Sequence, residues 1–98
     1  MTQAQIQIKQ IKDKILPILK QAGVKRSSLF GSYVRGDQTK GSDIDILIEP
    51  PRKMSLLDLA GLKLDLEEVL SNEVDIITYN SIHPLLKNYI LKDQVRIL

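Results

Sequence analysis

An apolar pair, Leu29-Phe30, runs directly into Gly31-Ser32, and ten residues later acid and aliphatic alternate in Asp43-Ile44-Asp45-Ile46-Leu47-Ile48. A period of two is that of a β-strand, so Asp43, Asp45 and Leu47 share one face while Ile44, Ile46 and Ile48 share the other and pack under helices. Burying two like charges in an apolar strand is expensive unless a cation neutralises them. The fold must therefore bury one side of this strand and offer the other to positive charge.

Cβ atoms two residues apart lie roughly 6–7 Å from each other, within reach of one or two metal ions. Mg²⁺ takes oxygen ligands at about 2.0–2.1 Å and favours one or two carboxylates completed by substrate phosphate oxygens. A third acid stands alone in the apolar run Val74-Asp75-Ile76-Ile77. If that strand lies beside the first, three carboxylates converge. Such a triad suits in-line attack at phosphorus: two metals clamp the attacking and leaving oxygens, and a carboxylate helps remove the acceptor hydroxyl's proton. Gly31 lets the backbone approach a triphosphate, and Ser32 can donate its hydroxyl and N–H from a helix start that favours negative charge. Arg35 and Lys40 are candidate phosphate contacts.

Ninety-eight residues, 43% of them hydrophobic, suffice for one domain over residues 1–98 with a core that is stable without crosslinks. The absence of cysteine excludes disulfides and thiolate metal sites. No apolar run approaches the roughly 20 residues that cross a bilayer, and Met1-Thr2-Gln3-Ala4-Gln5 is no signal peptide. A cytoplasmic protein without membrane contact is the expectation.

The net charge of +2 hides an asymmetry. Residues 1–40 carry eight Lys/Arg against Asp13 and Asp37, whereas residues 41–98 carry six against ten Asp/Glu. A basic front and an acidic back are consistent with anion binding beside cation binding. One Phe, three Tyr and no Trp provide no basic-aromatic stripe for stacking single-stranded bases, so direct nucleic-acid binding is not expected.

Ile8, Ile11, Ile15, Ile18, Leu19 and Ala22 recur at helical spacing, which predicts an amphipathic helix over residues 3–22. Thr2 with Gln5 forms a capping-box start and Gly23 a stop. Pro17 predicts a kink or break, because it cannot bond back to the Asp13 carbonyl. Strands follow at Val24–Phe30, Asp43–Ile48 and Val74–Thr78, with a helical turn over 32–36 and a polar loop between the first two. Pro50-Pro51 closes the second strand. Ser55 with Asp58 opens a helix to Leu70, with Leu59, Leu62, Leu66 and Val69 on its buried side. Pro84 starts a last helix to Lys92, and Val95 to Leu98 is an edge strand or a trailing segment. The order α-β-turn-β-α-β-α makes an α+β protein, a small mixed sheet with helices packed on it.

Leu29-Phe30-Gly31-Ser32-Tyr33-Val34-Arg35-Gly36 with Ser42-Asp43-Ile44-Asp45-Ile46-Leu47 resembles the signature of the DNA polymerase β-type nucleotidyltransferase superfamily. More narrowly it is similar to the smallest members, the minimal nucleotidyltransferases (MNT proteins), over nearly the whole chain. The resemblance implies the polymerase β-like fold. It also implies that Gly31 and Ser32 hold a triphosphate, and that Asp43, Asp45 and Asp75 are catalytic and bind two Mg²⁺. Ser42 joins Arg35 and Lys40 as a candidate nucleotide-binding residue. Because MNT proteins often pair with an α-helical HEPN ribonuclease in toxin–antitoxin modules, the implied role is an antitoxin. It would transfer AMP from ATP to a tyrosine of the toxin, in a hetero-oligomer with it. Two alternatives stay open: an antitoxin that masks the toxin without catalysis, and a nucleotidyltransferase subunit with another acceptor.

After the donor-site elements only one helix and a tail remain, too little for a second domain that recognises an acceptor. Among other conspicuous residues, His83 before Pro84 reads as exposed or capping. Tyr79 reads as packing or as a contact to base or ribose, and Tyr33 as an anchor of its turn. Tyr89 with Leu85, Leu86, Ile90 and Leu91 suits a core-facing last helix. The nearly continuous apolar run Leu56–Leu62 suggests a helix covered on both sides.

Overall fold

The computed structural model describes residues 1–98. Helix α1 (Gln3–Gln21) begins at Thr2, whose hydroxyl accepts from the Gln5 N–H at 3.1 Å while the Gln5 side chain accepts from the Thr2 N–H at 2.9 Å. Its apolar stripe buries Ile11, Ile15 and Leu19. The break expected at Pro17 does not occur, and the helix runs uninterrupted through it. Pro17 and Asp13 lie on the exposed side, where water can serve the freed Asp13 carbonyl, while Ile15 and Leu19 on either side are fully buried. Tertiary packing outweighs the local penalty.

Strand β1 (Arg26–Phe30) leads into a single helical turn, α2 (Ser32–Arg35), followed by a polar loop to β2 (Ile44–Glu49). Helix α3 (Leu56–Leu70) is opened by a reciprocal Ser55–Asp58 capping box and closed by Ser71 in the left-handed conformation. Next come β3 (Val74–Thr78), a 3₁₀ turn at Tyr79–Ser81, α4 (Pro84–Lys92) and β4 (Val95–Arg96). The sheet order is β3-β2-β1-β4: β2 and β3 run parallel, and β1 is antiparallel to both β2 and β4. The final residues thus form an edge strand. A mixed sheet follows from the connections, because the α3 crossover returns the chain parallel to β2 whereas shorter loops reverse it.

One face of the sheet carries Leu29, Ile44, Ile46, Ile48 and Val74, packed with Ile11, Ile15 and Leu19 of α1 and with Leu62 and Leu66 of α3. The other buries a smaller cluster of Phe30, Leu47 and Ile82, partly covered by Ile90 and Leu91 of α4. Three packing expectations need correction. Val69 is 36% exposed, whereas Leu62 and Leu66 are buried and Leu59 is half-buried against the core, as expected. The run Leu56–Leu62 is not covered on both sides, since Leu56 is 85% exposed and Leu57 82%. Helix α4 buries no residue fully, and Leu85, Leu86 and Tyr89 point outward. At nine residues α4 touches the sheet along one narrow line, which Ile90 and Leu91 occupy. No helix is long and apolar enough to cross a membrane.

Candidate active site

Gly31 leaves β1 with φ +81 and ψ −155, a conformation open in practice only to glycine. Space excludes a side chain as firmly as the backbone does: a Cβ here would collide with Oδ2 of Asp45 and lie 3.0 Å from its Cγ. The Gly31 carbonyl then accepts from the N–H groups of Val34 and Arg35, both at 3.1 Å, winding the turn that Ser32 opens. The glycine-serine bend and the acidic strand are therefore packed against each other.

Asp45 faces Phe30 on β1 and Asp75 on β3 in the sheet register. Paired residues on adjacent strands share a face, so Asp45 and Asp75 project together, with Cα atoms about 5 Å apart. Asp43 is exposed in the loop, just before β2 begins, two residues from Asp45 and on its side. None of the three carboxylates takes part in an ion pair. The Asp45 carboxyl is pushed up to about 6, first by burial, then by the charges of Asp75 and Asp43, with Arg35 pulling the other way.

The three acids do not close into a cluster of His, Cys, Asp or Glu able to hold an ion unaided. Asp75 is exposed on the edge strand and also borders a small cavity of about 220 Å³ with Leu59, Ala60 and Lys63. Register places it beside Asp45, and its charge is felt there. An all-oxygen, uncompensated donor set of this kind fits a hard divalent cation that also takes ligands from a bound phosphate.

The remaining candidates divide. Arg35 Nε donates to Asp37 Oδ2 at 3.1 Å, which holds the guanidinium pKa above its ordinary value, and its charge is felt at Asp45. Lys40 is exposed in the polar loop and pairs with no acid. Ser42 Oγ is engaged within the loop, accepting from the Thr39 N–H at 2.8 Å. Tyr79 is a packing residue: its hydroxyl hydrogen-bonds Ser28 Oγ at 2.8 Å and its ring lies 4.0 Å beneath the Arg26 guanidinium. His83 caps α4, its Nδ1 accepting from the Leu85 N–H at 3.1 Å. Tyr33 anchors the turn as expected, its hydroxyl 3.4 Å from Asn72 Oδ1 and 3.5 Å from the Ser42 carbonyl oxygen. Asn72 is the residue that sequence reading passes over. Its only signal is an amide side chain at a helix end, directly before the strand bearing the third acid.

A concavity of about 1040 Å³ lies on the other side of the sheet between α1 and α3, lined by Ile18, Ala22, Met54, Leu57 and Val69 among others. It holds none of the candidate residues.

A family model described as a nucleotidyltransferase domain matches residues 12–97. A Methanocaldococcus jannaschii protein, provisionally named a protein adenylyltransferase, is 60% identical over 91 residues, covering 93% of this chain and 98% of that protein. The protein adenylyltransferase MntA of Thermococcus cleftensis is 36% identical over 73 residues, 74% of each chain. Among solved structures, a provisionally assigned minimal nucleotidyltransferase superposes with TM-score 0.78 at 31% identity over 91% of both chains. A toxin–antitoxin complex with AMP-PNP gives 0.76 at 25% identity, covering 89% of this chain and 72% of that one. A bend beside paired carboxylates, in a chain that superposes over nine-tenths of its length, joins these likenesses into one assignment: the chain belongs to the nucleotidyltransferase-domain family, among its minimal members.

Proposed function

We propose that the chain, acting as one domain over residues 1–98, transfers AMP from ATP to a tyrosine hydroxyl of a HEPN-type toxin and so neutralises it. The observation that carries the reading is the in-register placement of Asp45 and Asp75 on parallel neighbours, with Gly31 closed against Asp45. The relatives named as protein adenylyltransferases and the AMP-PNP-bound toxin–antitoxin neighbour support the donor and the kind of partner.

In this reading Gly31 lets the backbone reach the triphosphate and Ser32 donates to it, with Arg35 and Lys40 supplying positive charge and Ser42 lining the loop beside it. Asp43, Asp45 and Asp75 would hold two Mg²⁺. When bound, magnesium supplies charge neutralisation at the phosphates and in-line alignment of attacking and leaving oxygens. The tyrosine oxygen bonds to the α-phosphorus as the bond to pyrophosphate breaks, and Asp75, exposed at the sheet edge, receives the hydroxyl proton. Asp45 packs against the turn at Gly31 and orients the set.

A second reading, masking without catalysis, draws on the exposed Leu85, Leu86 and Tyr89 of α4, beside the same sheet face. One experiment separates the two. The protein is incubated with ATP, Mg²⁺ and the product of the adjacent gene, and intact masses are recorded. AMP-sized additions that vanish in Asp43→Asn/Asp45→Asn support transfer. Full neutralisation by that double variant, with no mass change, overturns it in favour of masking.

A further inference from the structure

We propose that Asn72 is a positioning residue that sets the spacing of the three acids, a role resting on the reading of Asp43, Asp45 and Asp75 as a metal-binding set. Its side-chain Nδ2 donates to two carbonyls at once: that of Ser42, at 3.0 Å, and that of Glu73, at 2.9 Å. Ser42 immediately precedes Asp43, and Glu73 stands two residues before Asp75. Asn72 Oδ1 lies 3.4 Å from the hydroxyl of Tyr33, which directly follows Ser32. A single amide thus touches the approach to the phosphate turn, the approach to the first acid and the approach to the third.

Tyr33 also reaches the Ser42 carbonyl, at 3.5 Å, and the strand ladder joins β2 to β3, but Asn72 alone touches all three segments. Asp43 is in a loop, outside the hydrogen-bonded ladder that fixes Asp45 against Asp75. That ladder begins beyond it, with the Ile44 N–H donating to the Glu73 carbonyl at 2.9 Å. The polar loop from Gly36 to Gly41 offers no apolar anchor of its own. The half-buried Asn72 therefore holds Asp43 where repulsion from Asp45 and Asp75 would otherwise swing it outward. Because Asn72 makes no contact with Asp45 itself, its loss changes how the set is spaced without removing a carboxylate.

The test measures metal binding directly, with Mn²⁺ followed by electron paramagnetic resonance in the presence of a non-hydrolysable ATP analogue, alongside steady-state AMP transfer. Asn72→Ala should raise the Mn²⁺ midpoint about tenfold and lower kcat, leaving the ATP KM at saturating metal within about twofold. Tyr33→Phe, which leaves both Asn72 donations intact, should shift the midpoint in the same direction by no more than about threefold. Should alanine at 72 not fold, Asn72→Leu fills the same space without donors and carries the same expectation. An Asn72 variant that binds Mn²⁺ like wild type, while Asp43→Asn/Asp45→Asn binds none, overturns the role of Asn72 and leaves the metal reading standing. Wild type and the double variant binding Mn²⁺ alike would instead overturn the metal reading, and the inference with it.

Discussion

Gly31 and Asp45 are coupled by shape: the glycine has no side chain because the aspartate occupies that volume. Gly31→Ala must both leave the preferred φ region and displace Asp45, so it should lower stability by about 2 kcal/mol and reduce AMP transfer at least about a hundredfold. Thermal melts and a mass-resolved transfer assay check this. Asp45 itself is costly to the fold. Its pKa of about 6 lies above the ordinary 3.8, so protonation favours the folded state. The stability it allows is complete below pH 4 and is lost as pH rises through 6. The lift corresponds to about 3 kcal/mol at face value, and exposure of about half the group to water reduces that to about 1 kcal/mol. Asp45→Asn should therefore melt roughly 4–8 °C higher than wild type at pH 7.5 in metal-free buffer, with the gap closing towards pH 4.5. A gap that stays constant with pH would show that repulsion is not its source.

At the scale of elements, α1 shows where local and tertiary preferences conflict. Pro17 interrupts the backbone ladder of a helix held by Ile11, Ile15 and Leu19. Pro17→Ala should restore the bond to Asp13 and stabilise by about 1–2 kcal/mol, less than the ~3 kcal/mol interior penalty because proline also restrains the unfolded chain. Leu19→Ala, at a fully buried position two residues on, should cost about 2–5 kcal/mol. Strong local signals made most elements legible from sequence: both capping boxes, the alternation Asp43–Ile48, and Pro84 at a helix start. Helix continuity through Pro17 was not legible, because it depends on which carbonyl faces water. The outward turn of Leu85, Leu86 and Tyr89 was not legible either, since a short apolar helix reads alike whether buried or exposed. In the candidate site, residue type and spacing singled out Gly31 and the acids, which the structure brings together by register and packing. Asn72 escaped because its work is done by an ordinary amide on two carbonyls, which no pattern of side chains announces.

For the whole molecule, the helix-packed hydrophobic core and the acidic set occupy opposite faces of one four-stranded sheet. Asp43 and Asp75 are exposed and lie outside the buried core. Chelation with EDTA should abolish AMP transfer and leave the far-UV circular dichroism spectrum unchanged, because no core contact passes through Asp43 or Asp75. The α4 surface tests the partner side of the same separation. Leu85→Ser/Leu86→Ser should leave the melting temperature within about 2 °C, since surface changes are within about 0.5 kcal/mol, and should reduce modification of the partner about tenfold. Binding of an ATP analogue, measured by calorimetry, should be unaltered.

The two halves of the acidic set lie thirty residues apart in the chain and meet only through the α3 crossover. Closing such a loop is a late and entropically costly event. A chain with β3 not yet laid against β2 has the glycine-serine bend and the Asp43/Asp45 pair but lacks the third acid beside them. On the proposed function, a chain in which β3 has not reached β2 transfers no AMP.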